Sequence, residues 1–209
     1  MDDPPMLKYL LPLVVVLSLT GCSSNSQSQY TDQVQSSNTP IAHSFQEAIR
    51  QSPATPLPIN RGLFPVRWEI SPAEPRIVMG TQQGNYRLFN FRLLKGQAYV
   101  INVSSMCNNM CMGFAKSALK PKAVVLDAQG NIVADNLVGP NALAIEWSGV
   151  APADGTYFLL IAADNRAPGE QVSIINTPIA GYPGVNMPIG MSSAPFGKVI
   201  AYVEFPNEP

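Results

Sequence analysis

Sulfur is the chemistry this 209-residue chain carries in most concentrated form. Met106-Cys107-Asn108-Asn109-Met110-Cys111-Met112 places three thioethers and two cysteine sulfurs within seven residues. Soft ligands of this kind suit Cu(I). The competing reading is a short disulfide loop, Cys107 to Cys111, with methionines beneath it, because methionine fills irregular gaps. Closing so short a loop adds about 2 kcal/mol and mainly fixes a local shape. The third cysteine, Cys22, stands alone after an apolar run. The single histidine, His43, lies in a polar stretch. A Ser/His/Asp triad would need it beside a core serine, and no signature surrounds any candidate. No G-x-S-x-G, H-E-x-x-H or phosphate-cradling glycine loop occurs. Asp127, Asn131 and Asp135 are oxygen donors, but their spacing is not that of the helix-loop-helix calcium site. Asp and Asn also suit a turn, where their side chains bond the local backbone. The reading is therefore no catalytic residue, no metal and no cofactor.

The elements around these residues set the compartment. Residues 9–19 form an apolar run, shorter than the roughly 20 residues that span a bilayer. Its length is that of a signal-peptide core, so residues 1–21 read as a signal segment. The acidic start, Met1-Asp2-Asp3, is unlike a basic signal start, and Met6-Leu7-Lys8 would be a more conventional one. Beyond such a segment the compartment is oxidising, which favours pairing of Cys107 with Cys111. Without residues 1–21, twelve basic and twelve acidic side chains remain. That balance gives no excess cation to neutralise phosphates, so nucleic acid is not expected as a partner.

Residues 22–60 are rich in Ser, Gln, Asn, Thr and Pro, and read as a flexible, disordered tether. Inside it, residues 41–51 offer a short amphipathic helix with Ile41, Phe45, Ala48 and Ile49 on one face. From Val66 the pattern turns to period two. Val66, Trp68 and Ile70 alternate with polar residues, as do Phe89, Phe91 and Leu93, then Tyr99, Ile101 and Val103. Lys95-Gly96 between the last two runs predicts a hairpin, and Asp127-Ala128-Gln129-Gly130-Asn131 predicts another. Residues 156–162 are almost continuously apolar, as in a central strand. Residues 109–119 look weakly helical. Residues 177–197, dense in Gly and Pro, read as an irregular connection. The aromatic residues Trp68, Trp147, Tyr86, Tyr99 and Tyr157 sit where strands would point them into a core, although a sugar-stacking face is the alternative. About nine short strands result, an all-β antiparallel sandwich or jelly roll over residues 61–209.

Leu19-Thr20-Gly21-Cys22 resembles the lipobox of bacterial lipoproteins. The resemblance implies cleavage before Cys22, a diacylglyceryl group on its thiol and an acylated new amino group. Several acyl chains give stable anchoring at about 0.8 kcal/mol per buried CH₂. Ser23 after the cysteine implies transfer to the outer membrane, facing the periplasm. Phe89-Asn90-Phe91, Lys95-Gly96, the 127–131 turn and Ala151-Pro152-Ala153-Asp154-Gly155-Thr156-Tyr157 resemble the bacterial pre-peptidase C-terminal domain, an accessory jelly roll of secreted enzymes. The order of elements is also similar to the maltose-operon periplasmic protein family, which implies an association with sugar uptake. Taken together these predict a non-enzymatic envelope lipoprotein, a structural or protein-interaction module of a secretion, pilus or similar assembly. The segments 57–65 and 178–196 are its candidate partner contacts. A carbohydrate-uptake accessory and a Cu(I)-binding lipoprotein are the alternatives.

Overall fold

The computed structural model describes residues 25–108, 116–136, 143–178 and 186–206. Its fourteen strands are β1 (Ile41–Ala42), β2 (Thr55–Pro56), β3 (Trp68–Ile70), β4 (Arg76–Met79), β5 (Gln82–Leu93), β6 (Ala98–Met106), β7 (Lys116–Leu119), β8 (Pro121–Leu126), β9 (Ile132–Asn136), β10 (Ala144–Val150), β11 (Gly155–Ala163), β12 (Gln171–Pro178), β13 (Asn186–Ala194) and β14 (Gly197–Glu204). One sheet runs β1-β4-β5-β11-β8-β9, with β2 also on β5. A second runs β10-β6-β14-β3, and a third β12-β13-β7. The expected nine strands are exceeded because short edge pieces add to the ladders. Three of those additions, β1 on β4, β2 on β5 and β13 on β7, are parallel.

The first two sheets form a β-sandwich. Phe89 and Phe91 of β5, Leu159 and Ile161 of β11, and Val125 of β8 face Tyr99, Ile101 and Val103 of β6 and Val199, Ala201 and Val203 of β14. Alternation puts these residues on one side of each strand. Strands β5, β11 and β8 are also apolar on their other side, through Tyr86, Leu88, Leu160, Ala162, Val124 and Leu126. A sheet apolar on both faces needs a second cover. β11, the expected central strand, lies between β5 and β8.

That second cover corrects the expected disorder of the tether from Asn25 onward. Helix α1 (Ser26–Gln29) leads into a π-helical turn (Tyr30–Gln35), and α2 (Phe45–Gln51) lies over the outer face, with Phe45 and Ile49 against its apolar cluster. Tyr30, Val34, Ala42 and Ala48 are buried. Ser44 caps α2 by accepting from Glu47 N, and Glu47 reaches back to the amide of His43, a variant of the capping box. Tyr86 donates from its hydroxyl to the Ala48 carbonyl at 3.0 Å. Few large apolar residues suffice here, because the sheet beneath supplies the rest of the contact surface.

Three further expectations change. The strands flanking Lys95-Gly96 are not a hairpin: β5 pairs with β4 and β11, β6 with β10 and β14. The turn is an arch between sheets, and Phe91 meets Tyr99 across the core with ring centres 6.2 Å apart. Gly96 takes φ +80°, and its amide bonds Ala151 O at 2.8 Å. The 177–197 stretch contains β13, which forms an antiparallel pair with β12. The end of the weakly helical stretch, 116–119, is strand β7, paired with β13; residues 109–115 lie outside the described residues. The 127–131 hairpin, by contrast, joins β8 and β9 as expected.

Candidate interaction sites at the two ends of the sandwich

Register gives the sandwich two ends. At one, β5 begins at Gln82, β6 ends at Met106, β11 ends at Ala163 and β14 begins at Gly197. At the other, β5 ends at Leu93, β6 begins at Ala98, β10 ends at Val150 and β11 begins at Gly155.

The first end holds a groove of about 770 Å³, lined among others by Arg67, Glu69, Met106, Cys107, Asn108, Phe196 and Lys198. The ladder places Lys198 opposite both Glu69 and Met106. Asn108 donates from Nδ2 to Phe196 O at 3.1 Å and so ties the end of β6 to the turn before β14. Gly197 fits under this contact: a Cβ there would lie 2.9 Å from Leu119 Cβ and 3.0 Å from Asn108 Oδ1. The groove offers two cations, one carboxylate, two amides and sulfur. That set can hold a polar ligand, and it contains no positioned base beside a nucleophile.

The sulfur-rich segment and the predicted long connection meet here. Cys107 forms an isolated bridge with Ala118, and its Sγ is 3.8 Å from Met191 Sδ of β13. Val172, Ala118 and Met191 form a small cluster around them. Cys22, Cys111, Met110 and Met112 lie outside the described residues.

Sequence reasoning missed a buried ion network beside this groove. Lys120 and Asp164 are both more than nine-tenths buried. Lys120 Nζ lies 3.4 Å from Asp164 Oδ2 and 2.5 Å from Glu170 Oε1. The Arg166 guanidinium forks onto Asp164, with Nε at 2.9 Å from Oδ1 and Nη2 at 2.6 Å from Oδ2. Burial alone would raise the Asp164 carboxyl. The Arg166 hydrogen bonds, and then the charges of Lys120 and Arg166, outweigh it, so Asp164 titrates below its ordinary value. Isolated charges in a sequence give no sign of such a cluster; only the order Lys120, Asp164, Arg166, Glu170 around β8 and β11 makes it.

Arg76 is a second missed residue. Its buried guanidinium donates to Val34 O and Thr39 O, each at 2.8 Å, and to Thr39 Oγ1 and Gln83 Oε1, each at 3.1 Å. It thereby rivets the N-terminal arm to the edge of the large sheet.

The remaining predicted residues fall elsewhere. His43 is exposed, ahead of α2. Asp127 serves its own turn: its carboxylate accepts from Gln129 N and Asn131 N, each at 2.9 Å, and from Asn131 Nδ2 at 2.8 Å. Burial raises the Asp127 carboxyl slightly and these bonds reverse it, so it too titrates low. Asp135 pairs with Val124 across the ladder, away from that turn. Among the described residues no three His, Cys, Asp or Glu side chains gather into a metal site. Tyr86, Tyr99 and Tyr157 are buried, and Trp68 and Trp147 pack against the core, with Trp68 edge-on to Phe89 at 5.3 Å. Burial, with the Glu47 and Glu74 charges, against a bond from Ser52, pushes the Tyr86 hydroxyl up to about 12. These aromatic residues serve the core rather than a stacking face.

The second end carries the segment 57–65. Leu57 is buried, and beyond it the chain is pinned by Val203 N to Pro58 O at 2.9 Å and by Asn60 N to Val203 O at 2.8 Å. Leu63 and Phe64 are then each 94% exposed.

No family model matches the chain, and no curated protein does. Among solved structures, the pre-peptidase C-terminal domain of a collagenase from Bacillus anthracis is similar at 14% identity, over 74% of this chain and 97% of that domain, with a TM-score of 0.37.

Proposed function

We propose that the chain is a non-enzymatic lipoprotein of the cell envelope that works by binding a protein partner. In this reading it is processed and lipidated at Cys22 and held on the outer membrane, facing the periplasm. The observation that carries the binding role is the pair Leu63 and Phe64, adjacent large apolar side chains presented almost wholly to water on a pinned loop. Apolar area left in water forgoes about 25 cal/mol per Å², and a partner recovers it. Prolines at 58 and 65 restrict the loop before docking, so less entropy is lost on binding.

The anchoring part is tested by intact mass. Protein from its native host should start at Cys22 and carry acyl mass, and Cys22→Ala should leave an uncleaved or mislocalised precursor. An unmodified Cys22 thiol in that material would reject it. Of the two candidate contact segments, 178–196 is the poorer to delete, because removing residues 183–193 would take away most of β13 and two of its ladders. The segment 57–65 is the cleaner target.

The pairing of Cys107 with Cys111 belongs to the same proposal. Its support is the pairing of the two remaining cysteines at short spacing in the oxidising compartment that a signal segment implies. Labelling under denaturing, non-reducing conditions should find both blocked, and reduction should free both. Free thiols together with Cu(I) binding would revive the copper reading.

A further inference from the structure

Arg67, Glu69 and Lys198 are exposed and line the groove at the end where β11 finishes. They contrast with the network beside them, where Lys120, Asp164, Arg166 and Glu170 hold one another. None of the three is in an ion pair among the described residues, although the ladder sets Glu69 opposite Lys198. The wall around them is fixed. Asn108 Nδ2 is 3.1 Å from Phe196 O and 3.4 Å from Ser117 Oγ, which joins the end of β6 to β7 and to the turn before β14. The volume of about 770 Å³ falls in the range of small-molecule sites, roughly 300–1,000 Å³.

Two cations beside one carboxylate match a ligand that carries both signs close together. A bare anion would meet repulsion from Glu69, and a bare cation would meet it from Arg67 and Lys198. Phosphate is the anion that a guanidinium fork and an ammonium hold well. A primary ammonium offers three donors, and an ionised carboxylate such as Glu69 only accepts. An aminoethyl phosphate ester carries both groups on one short chain.

The start of the described chain selects the source of such a ligand. Gln29 is part of the groove wall, and Ser26 lies beside Gly169 in the connection after β11. Ser26–Gln29 is a single helical turn, about 5 Å long. Cys22 is four residues before Ser26, a reach of roughly 14 Å at most. An acylated Cys22 therefore brings the bilayer surface within roughly 20 Å of the groove wall. The twelve residues of β5 carry the other end of the sandwich roughly 36 Å further, at about 3.3 Å per residue.

We infer that the groove lined by Arg67, Glu69 and Lys198 holds the headgroup of an aminoethyl phospholipid of the anchoring membrane, with the phosphate between Arg67 and Lys198 and the ammonium on Glu69. The inference rests on lipidation at Cys22 for the source of the headgroup, and it leaves the protein-binding role of Leu63 and Phe64 as it stands. Headgroup and acyl anchor then act together, and hold this end of the domain on the bilayer.

The test uses the full chain purified from its native host in dodecyl maltoside, stripped of lipid and titrated with phosphatidylethanolamine or phosphatidylglycerol. Bound lipid is counted by native mass spectrometry. The expected result is one saturable phosphatidylethanolamine adduct, roughly tenfold tighter than that of phosphatidylglycerol. Arg67→Ala with Lys198→Ala should weaken both lipids by roughly tenfold or more. Glu69→Gln should weaken phosphatidylethanolamine and strengthen phosphatidylglycerol, a reversal of preference that a merely structural role would not produce. All three substitutions lie on exposed side chains and should leave the melting temperature unchanged. Equal binding of the two lipids, or adducts indifferent to these substitutions, would overturn the inference in favour of lipid held by the acyl chains alone. Free phosphoethanolamine bound as tightly as the lipid would overturn it in favour of a soluble ligand. Cys22 acylation is read in the same spectra. An acylated Cys22 without a groove-dependent adduct rejects the headgroup site alone, whereas an unacylated Cys22 with one rejects the anchoring reading alone.

Discussion

The two ends of this sandwich treat exposed chemistry in opposite ways. At the end where β11 finishes, charge is drawn inward: Lys120 and Asp164 are buried, and Arg166 and Glu170 close the network. Arg76 is buried as well, and spends its donors on the arm. At the end where β11 begins, Leu94 and Val150 are exposed, and the loop pinned to Val203 carries the exposed Leu63 and Phe64. Buried charge is costly unless every partner is present, and exposed apolar surface is unrewarded unless something covers it. Among the described residues, the buried charges of the first end thus find partners within the chain, whereas Leu63 and Phe64 find no cover. Substitutions should therefore cost stability at those buried charges and binding at Leu63 and Phe64.

The largest effect is expected from Asp164→Ala. It leaves Lys120 buried with Glu170 alone and should cost about 3 kcal/mol in urea unfolding. A loss below 1 kcal/mol would place the network outside the stabilising core of that end. The same residue gives a pH signature. Its folded-state pKa is depressed, so its contribution is complete above the ordinary Asp value near about 3.9. It is lost as pH falls through the lowered value. Wild-type stability should therefore fall more steeply below about pH 4 than that of Asp164→Asn.

Arg76→Ala comes next. It strips donors from the carbonyls of Val34 and Thr39 and should cost about 2 kcal/mol. Limited proteolysis should then cut the variant between residues 25 and 40 and spare wild type there. Tyr86→Phe removes one hydroxyl from the buried carbonyl of Ala48 and should cost about 1 kcal/mol, read from the thermal midpoint. The smallest change in stability is expected at the other end: Leu63→Ser with Phe64→Ser should move it by no more than about 0.5 kcal/mol. A large loss there would mean that these residues support the fold, and the contrast between the ends would disappear.

Local pattern carried much of this. The alternation at Trp68 to Ile70, Phe89 to Leu93 and Tyr99 to Val103 identified strands and their inward faces, since side chains alternate along a strand whatever it pairs with; Val66, read as the start of the first run, lies before β3 and is exposed. The Asp127 turn was legible because its hydrogen bonds close within five residues. The continuous apolar run at 156–162 marked a strand buried on both faces. It did not say what would cover the second face.

Partners in space were not legible. Lys95-Gly96 reads the same whether it turns a hairpin or an arch, and only competition for the edges of β5 and β6 chose the arch. From its sequence the arm reads as too polar to fold, because its own apolar area is small. It packs because the large sheet offers Tyr86, Leu88 and Leu160 from outside the segment. The opposition of the two ends follows from ladder register and from where Tyr30 and Asn60 are tied. The sequence by itself determined strand faces, a β class and the lack of a recognised catalytic motif. Tertiary structure decided which strands pair, what covers the second face and where the 57–65 loop is tied, because those depend on contacts between residues far apart in the chain.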